Sequence, residues 1–152
     1  MDKIGYFSDS DNPQKNNDCV PIIKEEYFSR LIEFTPAIIY TCDTQGRITY
    51  YNKAAANFWD ATPELGKDYY YTGWTSYTMN GEPLPIDKTA MAMALKHEKS
   101  FREEMIIENI QGKRFYVECN PKPMFNTSGK MIGLLNLCVD FSKYHTGKDK
   151  LY

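Results

Sequence analysis

At 152 residues, with 18 basic and 20 acidic side chains and a net charge of -2, the chain is one domain's worth of protein and carries no broad field for nucleic acid. No apolar window approaches the ~20 residues of a membrane span, and the polar start lacks the apolar stretch of a signal peptide, so a cytoplasmic setting without membrane or nucleic-acid partners is expected. Cys19, Cys42, Cys119 and Cys138 lie far apart with no C-x-x-C pair, which argues against structural zinc or a redox dithiol and for reduced thiols, three of them small core residues on strands.

Met1 to Asp18 is polar with little to bury, so residues 1–19 read as a mobile lead-in. From Val20 to Phe34, apolar Ile22, Ile23, Tyr27, Leu31, Ile32 and Phe34 recur at helical spacing among charged residues, and Thr35-Pro36 stops the pattern. This amphipathic helix must set its apolar face against something, either the outer face of a sheet or a second copy of the chain. Two β-rich runs follow, Ala37–Cys42 and Arg47–Tyr51. Between them Asp43-Thr44-Gln45-Gly46 supplies a carboxylate for the backbone ahead and a glycine for positive φ, the marks of a hairpin. Asn52 is placed to cap a short helix, Lys53–Trp59.

Residues 60–81 hold Pro63, Gly66, Gly73 and Gly81 among Tyr69, Tyr70, Tyr71, Trp74 and Tyr77, which predicts loops and short turns wrapped around rings. Asp87 is the expected cap of a helix over Lys88–His97 with Met91, Ala92, Ala94 and Leu95 on its apolar stripe. Three strands are then expected, Phe101–Asn109, Lys113–Lys122 and Met131–Asp140. Gln111-Gly112 joins the first two and a longer loop, Phe125–Gly129, joins the last two. Two strands, several short helices and three strands make an α+β domain with helices on one sheet face.

Several pieces in this order resemble a PAS domain over roughly Pro36 to Ser142. They are Asp43-x-x-Gly46-Arg-Ile48 leading to Tyr51-Asn52-x-Ala-Ala55, Asp87 ahead of Ala92 and Ala94-Leu95, Gln111-Gly112, and Gly129-x-x-x-Gly133 leading to Asp140-Phe141-Ser142. The last triplet is similar to the Asp-Ile-Thr that closes many such domains. The resemblance implies a five-stranded antiparallel sheet of order 2-1-5-4-3 cupped by short helices around a small cavity, with residues 143–152 as a tail or linker. It also implies a sensory or regulatory role as in bacterial sensor histidine kinases, a homodimer formed through the N-terminal helix and outer sheet face, and a fused or recruited kinase or other effector.

By analogy the residue before Asp43 points inward, and alternation then gives the lining. Ile38, Tyr40 and Cys42 face the cavity from the first strand, with Ile39 and Thr41 outward. Leu134, Asn136 and Cys138 face it from the last, with apolar Leu135, Leu137 and Val139 outward and in need of a cover, assigned to the Val20–Phe34 helix. Val117, Cys119 and Pro121 face in from the fourth strand and Met105 and Ile107 from the third, joined by Met91, Leu95 and Trp74. Asn136 is the odd residue, because a buried amide needs partners that a ligand, a water or a neighbouring Tyr must supply. The alternative is a core filled by these side chains, in a module whose work is dimerisation.

The cofactor remains open. The Asn-Cys-Arg-Phe-Leu-Gln run of light-oxygen-voltage flavin sensors has no counterpart. Trp74 and the Tyr cluster could stack on a non-covalent flavin, but no residue points to it, and the one histidine placed for haem, His97, suits the helix C-terminus better. Catalysis is not expected: His97 and His145 stand apart from any cysteine placed to act as nucleophile, and neither a nucleophile elbow nor a phosphate loop is present.

Overall fold

The computed structural model describes residues 25–145. The expected lead-in, Cys19, the first part of the amphipathic helix and the tail beyond His145 lie outside them. The chain divides into two compact units, Met1–Thr35 and Pro36–Tyr152. In the first, α1 (Glu25–Phe34) carries Glu25 and Glu26 in its first turn, where they complement the helix dipole. Tyr27, Phe28, Leu31 and Phe34 on it are exposed. Among the described residues no helix is long and apolar enough to cross a membrane.

The second unit runs β1 (Ile38–Cys42), β2 (Ile48–Tyr51), α2 (Lys53–Trp59), β3 (Thr75–Tyr77), a 3-10 turn at Ile86–Lys88, α3 (Ala90–His97), β4 (Glu103–Glu108), β5 (Arg114–Phe125) and β6 (Met131–Asp140). They form one antiparallel sheet in the order β2-β1-β6-β5-β4-β3. The expected five-strand order is therefore present with a sixth strand added beyond β4. That strand is three residues long and shows no apolar alternation. Tyr77 anchors it by donating to Glu108 at 3.0 Å while the Arg114 guanidinium lies over its ring.

Four chain reversals share one chemistry. Asp43, Asn109 and Asn126 each accept, through one side-chain oxygen, the amides two and four residues on at 2.9 to 3.0 Å, with a glycine three residues on at φ between +86° and +89°. Thr78 does the same for Glu82 through its hydroxyl, and Gly81 completes that turn. The hairpin after β4 accordingly has a three-residue loop, 110–112, rather than the two-residue turn expected from Gln111-Gly112. Asn109 draws two amides inward and leaves Gly112 to close the turn.

Asp43 also meets the Arg47 side chain at 3.0 Å. Partial burial pulls its carboxyl upward, but the Arg47 amide and side chain and the Gln45 amide outweigh that and hold it below its ordinary 3.8. A carboxyl depressed on folding stabilises the fold above its unfolded value and loses that contribution as pH falls through the folded one. Asp43→Ala is expected to cost about 1 kcal/mol at neutral pH. Urea titrations of the two proteins should show that gap closing below pH ~4; a gap independent of pH would contradict the assignment.

Burial alternates along β1 as expected, with Ile38, Tyr40 and Cys42 inside. On β6, Leu134, Asn136 and Cys138 are buried, whereas Leu135 is half-buried and Leu137 and Val139 are 39% and 43% exposed. On β4, Ile106 is buried as well as Met105 and Ile107, so that strand is covered on both faces. The cap of α3 differs from expectation. Thr89, not Asp87, accepts from the Ala92 amide, and Glu103 receives the Ala90 amide at 2.8 Å, because residues 86–88 are taken up by the 3-10 turn.

Candidate functional site

α2 packs on β1, and α3 packs on β5 and β6, so the helices stand on one face of the sheet. Between them lies a cavity of about 50 Å³. Its sheet side is made by Ile38, Tyr40, Cys138, Cys119, Met105, Ile107 and Ser76, and its helical side by Phe58, Trp59, Tyr70, Tyr71, Trp74, Ile86, Thr89 and Met91. The local sequence explains the rings. Ala55 is fully buried on α2, and positions three and four residues later on a helix share its face, which places Phe58 and Trp59 there. Trp59 packs at 5.2 Å from Tyr40, and Phe58 stacks on Trp74 at 5.7 Å. Tyr70 is held by the first hairpin: its amide donates to the Gly46 carbonyl, and a Cβ on Gly46 would sit 3.1 Å from its ring.

Eight of the residues assigned to the lining, Ile38, Tyr40, Trp74, Met91, Met105, Ile107, Cys119 and Cys138, are brought together at the cavity. Cys42, Val117 and Leu134 point to the same side but are buried in the surrounding core, and Leu95 packs against that core. Sequence reasoning missed Phe58, Trp59, Tyr70, Tyr71, Ser76, Ile86 and Thr89. The helical spacing from Ala55 is the signal that could have revealed the first two. His97 is exposed and is not part of the lining.

Asn136, also assigned to the lining, is not one of the cavity's lining residues: it is fully buried beside Tyr40, its partner across the β1–β6 pair. Its Oδ1 accepts the Asn120 amide at 2.9 Å, at the point where Pro121 interrupts the β5–β6 ladder. Its Nδ2 makes no hydrogen bond in good geometry, although it interacts with the Tyr40 hydroxyl, the neighbouring Tyr expected as one possible partner. Burial pushes the Tyr40 hydroxyl well up, Cys119 and Cys138 add to this, and a side-chain hydrogen-bond interaction with Asn136 opposes it. Burial takes the Cys42 thiol up to about 12. The Cys138 thiol is raised by its hydrogen bond with Cys119 and then by burial. Tyr40, Cys42 and Cys138 are therefore neutral at pH 7, and these two thiols act as small apolar fillers rather than nucleophiles.

A domain closed in this way ends in a fixed corner. Asp140 accepts the Ser142 amide at 3.0 Å and the Ser142 hydroxyl at 2.6 Å, while Ser142 Oγ accepts the Tyr116 amide at 2.8 Å. The end of β6 is thereby tied to β5, and residues 142–145 begin a helical turn.

The family model described as PAS domain matches residues 36–143. No curated protein matches the chain. Among solved structures it is similar to the PAS domain of a Colwellia psychrerythraea protein, with a TM-score of 0.59 at 16% identity over 78% of this chain and 97% of that one. It is also similar to the PAS domain of Bordetella pertussis BvgS, at 0.55 and 20% over 83% and 92%. The PAS domain of nitrogen regulation protein NR(II) from Vibrio parahaemolyticus gives 0.57 and 13% over 74% and 96%. With the sheet order, the Asp43 hairpin and the Asp140–Ser142 corner in place, the chain belongs to the PAS domain family.

Proposed function

We propose that this PAS domain is a sensory or regulatory module of a signalling protein, and that its signal is a small ligand carrying a hydrogen-bond acceptor. The observation that carries this reading is Asn136, fully buried beside the cavity-lining Tyr40, whose Nδ2 finds no acceptor in good hydrogen-bonding geometry although it interacts with the Tyr40 hydroxyl. Leaving such a group unpaired costs about 1–3 kcal/mol, which a ligand that supplies the acceptor recovers. Water occupies about 30 Å³ in the liquid, so a cavity of about 50 Å³ takes one or two waters as it stands. A larger ligand requires Trp59, Tyr70 or Trp74 to swing outward. Occupancy then favours one of two wall arrangements over the other, which is how binding biases an output. The Asp140–Ser142 corner is the connection from β6 to whatever follows.

Partners are part of this proposal. The outer face with Leu137 and Val139, and α1 with Tyr27, Phe28, Leu31 and Phe34, offer apolar surface for a second copy of the chain. A kinase or other effector, fused or recruited, would receive the signal in the cytoplasm, and any catalysis would reside there.

Asn136→Leu tests the ligand. Native mass spectrometry of wild-type protein purified from its host should show an added mass, and the variant should show none. Its melting temperature should stay within about 5 °C, since relief of the unpaired donor offsets the lost Asn120 bond. Wild type without an added mass would contradict the ligand reading and favour a dimerisation module with a filled core, the alternative to which the small cavity volume points.

A further inference from the structure

A second hollow, of about 260 Å³, opens on the other side of the aromatic wall. It lies between the end of α2, the loop through Trp74 and the tip of the β4–β5 hairpin, and it is about five times larger in volume than the inner cavity. Trp59, Tyr70 and Trp74 line both, so each of these side chains contributes to the inner wall and to the outer cleft. Ile110 on the hairpin tip borders the cleft and is 83% exposed, an apolar side chain with nothing to cover it in this unit. Asp60 and Asp68 are the charged residues of the lining, which contains no Lys, Arg or His.

Rings, an uncovered aliphatic side chain and two carboxylates around a cleft of this size match one ligand chemistry. Aromatic faces attract organic cations through their quadrupoles, and uncompensated carboxylates add Coulomb attraction, while both disfavour anions. Asp68 spends one oxygen on the Glu64 amide at 2.7 Å and keeps its other oxygen available. We infer that the outer cleft is a binding site for a small aromatic or alkyl ammonium cation, distinct from the inner cavity and sharing a wall with it.

The chain's only two tryptophans, Trp59 and Trp74, both line this cleft, so indole emission reports directly on it. The experiment titrates the full chain with 2-phenylethylammonium, the neutral 2-phenylethanol and the anionic phenylacetate, exciting at the red edge of the indole band where a phenyl ring does not absorb. The ammonium ion should bind about tenfold more tightly than the alcohol, with phenylacetate weakest. The double variant Asp60→Asn, Asp68→Asn should bring the ammonium ion within about twofold of the alcohol. Both replacements suit the backbone: Asp60 sits at φ 56, a conformation an asparagine tolerates, and Asp68→Asn retains a side-chain oxygen for the Glu64 amide. Asn136→Leu should leave the ammonium response unchanged, so loss of an inner ligand and loss of the cleft ligand are read separately. Equal binding of the three compounds, a preference that survives the double variant, or unchanged emission at millimolar concentration would each overturn the inference.

Discussion

Gly133→Ala is expected to remove a large share of the protein's folding stability. A Cβ at this position would lie 2.1 Å from the carbonyl oxygen of Cys42 and 3.3 Å from the Cα of Asp43, both backbone atoms of the strand and turn next door. Where an added methyl meets the end of a flexible side chain, the neighbour moves and the cost is about 1–3 kcal/mol. Here the neighbour is β1 itself, held on its other edge by β2, so relief requires parting β6 from β1. The loss should be about 4 kcal/mol or more, a large share of the roughly 5–15 kcal/mol that holds a domain together. Gly112→Ala is the control, since it also has positive φ but meets nothing within 4 Å, and it should cost only about 1 kcal/mol. Urea unfolding followed by far-ultraviolet circular dichroism compares them; equal midpoints would contradict the close β1–β6 approach.

The second large effect is expected at Asn52. One buried amide makes three bonds: Oδ1 accepts from Ala55 at 2.9 Å, capping α2, and from Ile39 at 3.2 Å, while Nδ2 donates to the Ala37 carbonyl at 2.8 Å. It joins the start of the helix that carries Phe58 and Trp59 to the strand that carries Tyr40. Asn52→Ala removes a cap worth about 1 kcal/mol and two further bonds, to the Ile39 amide and the Ala37 carbonyl, each worth about 1 kcal/mol, for a total of about 3 kcal/mol. Asn52→Asp keeps the acceptor and loses the donor, so its midpoint should fall between wild type and Asn52→Ala. A midpoint for Asn52→Ala within experimental error of wild type would show that the amide only fills space.

These two residues also mark what could be read from the chain. The Asp43 turn, the Asn52 cap and the alternation of Ile38, Tyr40 and Cys42 are local signals, because turn chemistry, capping and the period of two act over a few residues. Strand parity says which face a residue takes but not how far along the strand the hollow lies. That is why Cys42, Val117, Leu134 and Asn136 are inward as expected and still not part of the cavity lining. The helical wall was hard to read because it is assembled from a loop whose path is set by long-range bonds. Ile48 donates to the Asp68 carbonyl, and Tyr70 to that of Gly46, contacts that no spacing within residues 60–81 encodes. At α3 two residues competed for one cap, and the 3-10 turn decided for Thr89. β5, expected to end at Lys122, continues through Pro123 to Phe125, with Asn136 supplying Oδ1 to the Asn120 amide beside the interruption at Pro121.

That bond satisfies the Asn136 oxygen, and the sensory reading rests on its N–H, which interacts with the Tyr40 hydroxyl but finds no acceptor in good geometry. The side-chain amide resonances of Asn136 therefore provide the most direct measurement. They should be recorded by nitrogen-15 NMR on protein purified from its host, and again after the same sample is unfolded, dialysed and refolded. The account predicts that the pair moves between the two samples, shifted downfield by an acceptor before dialysis and returned to an unbonded position afterwards. An identical pair in both spectra would contradict it.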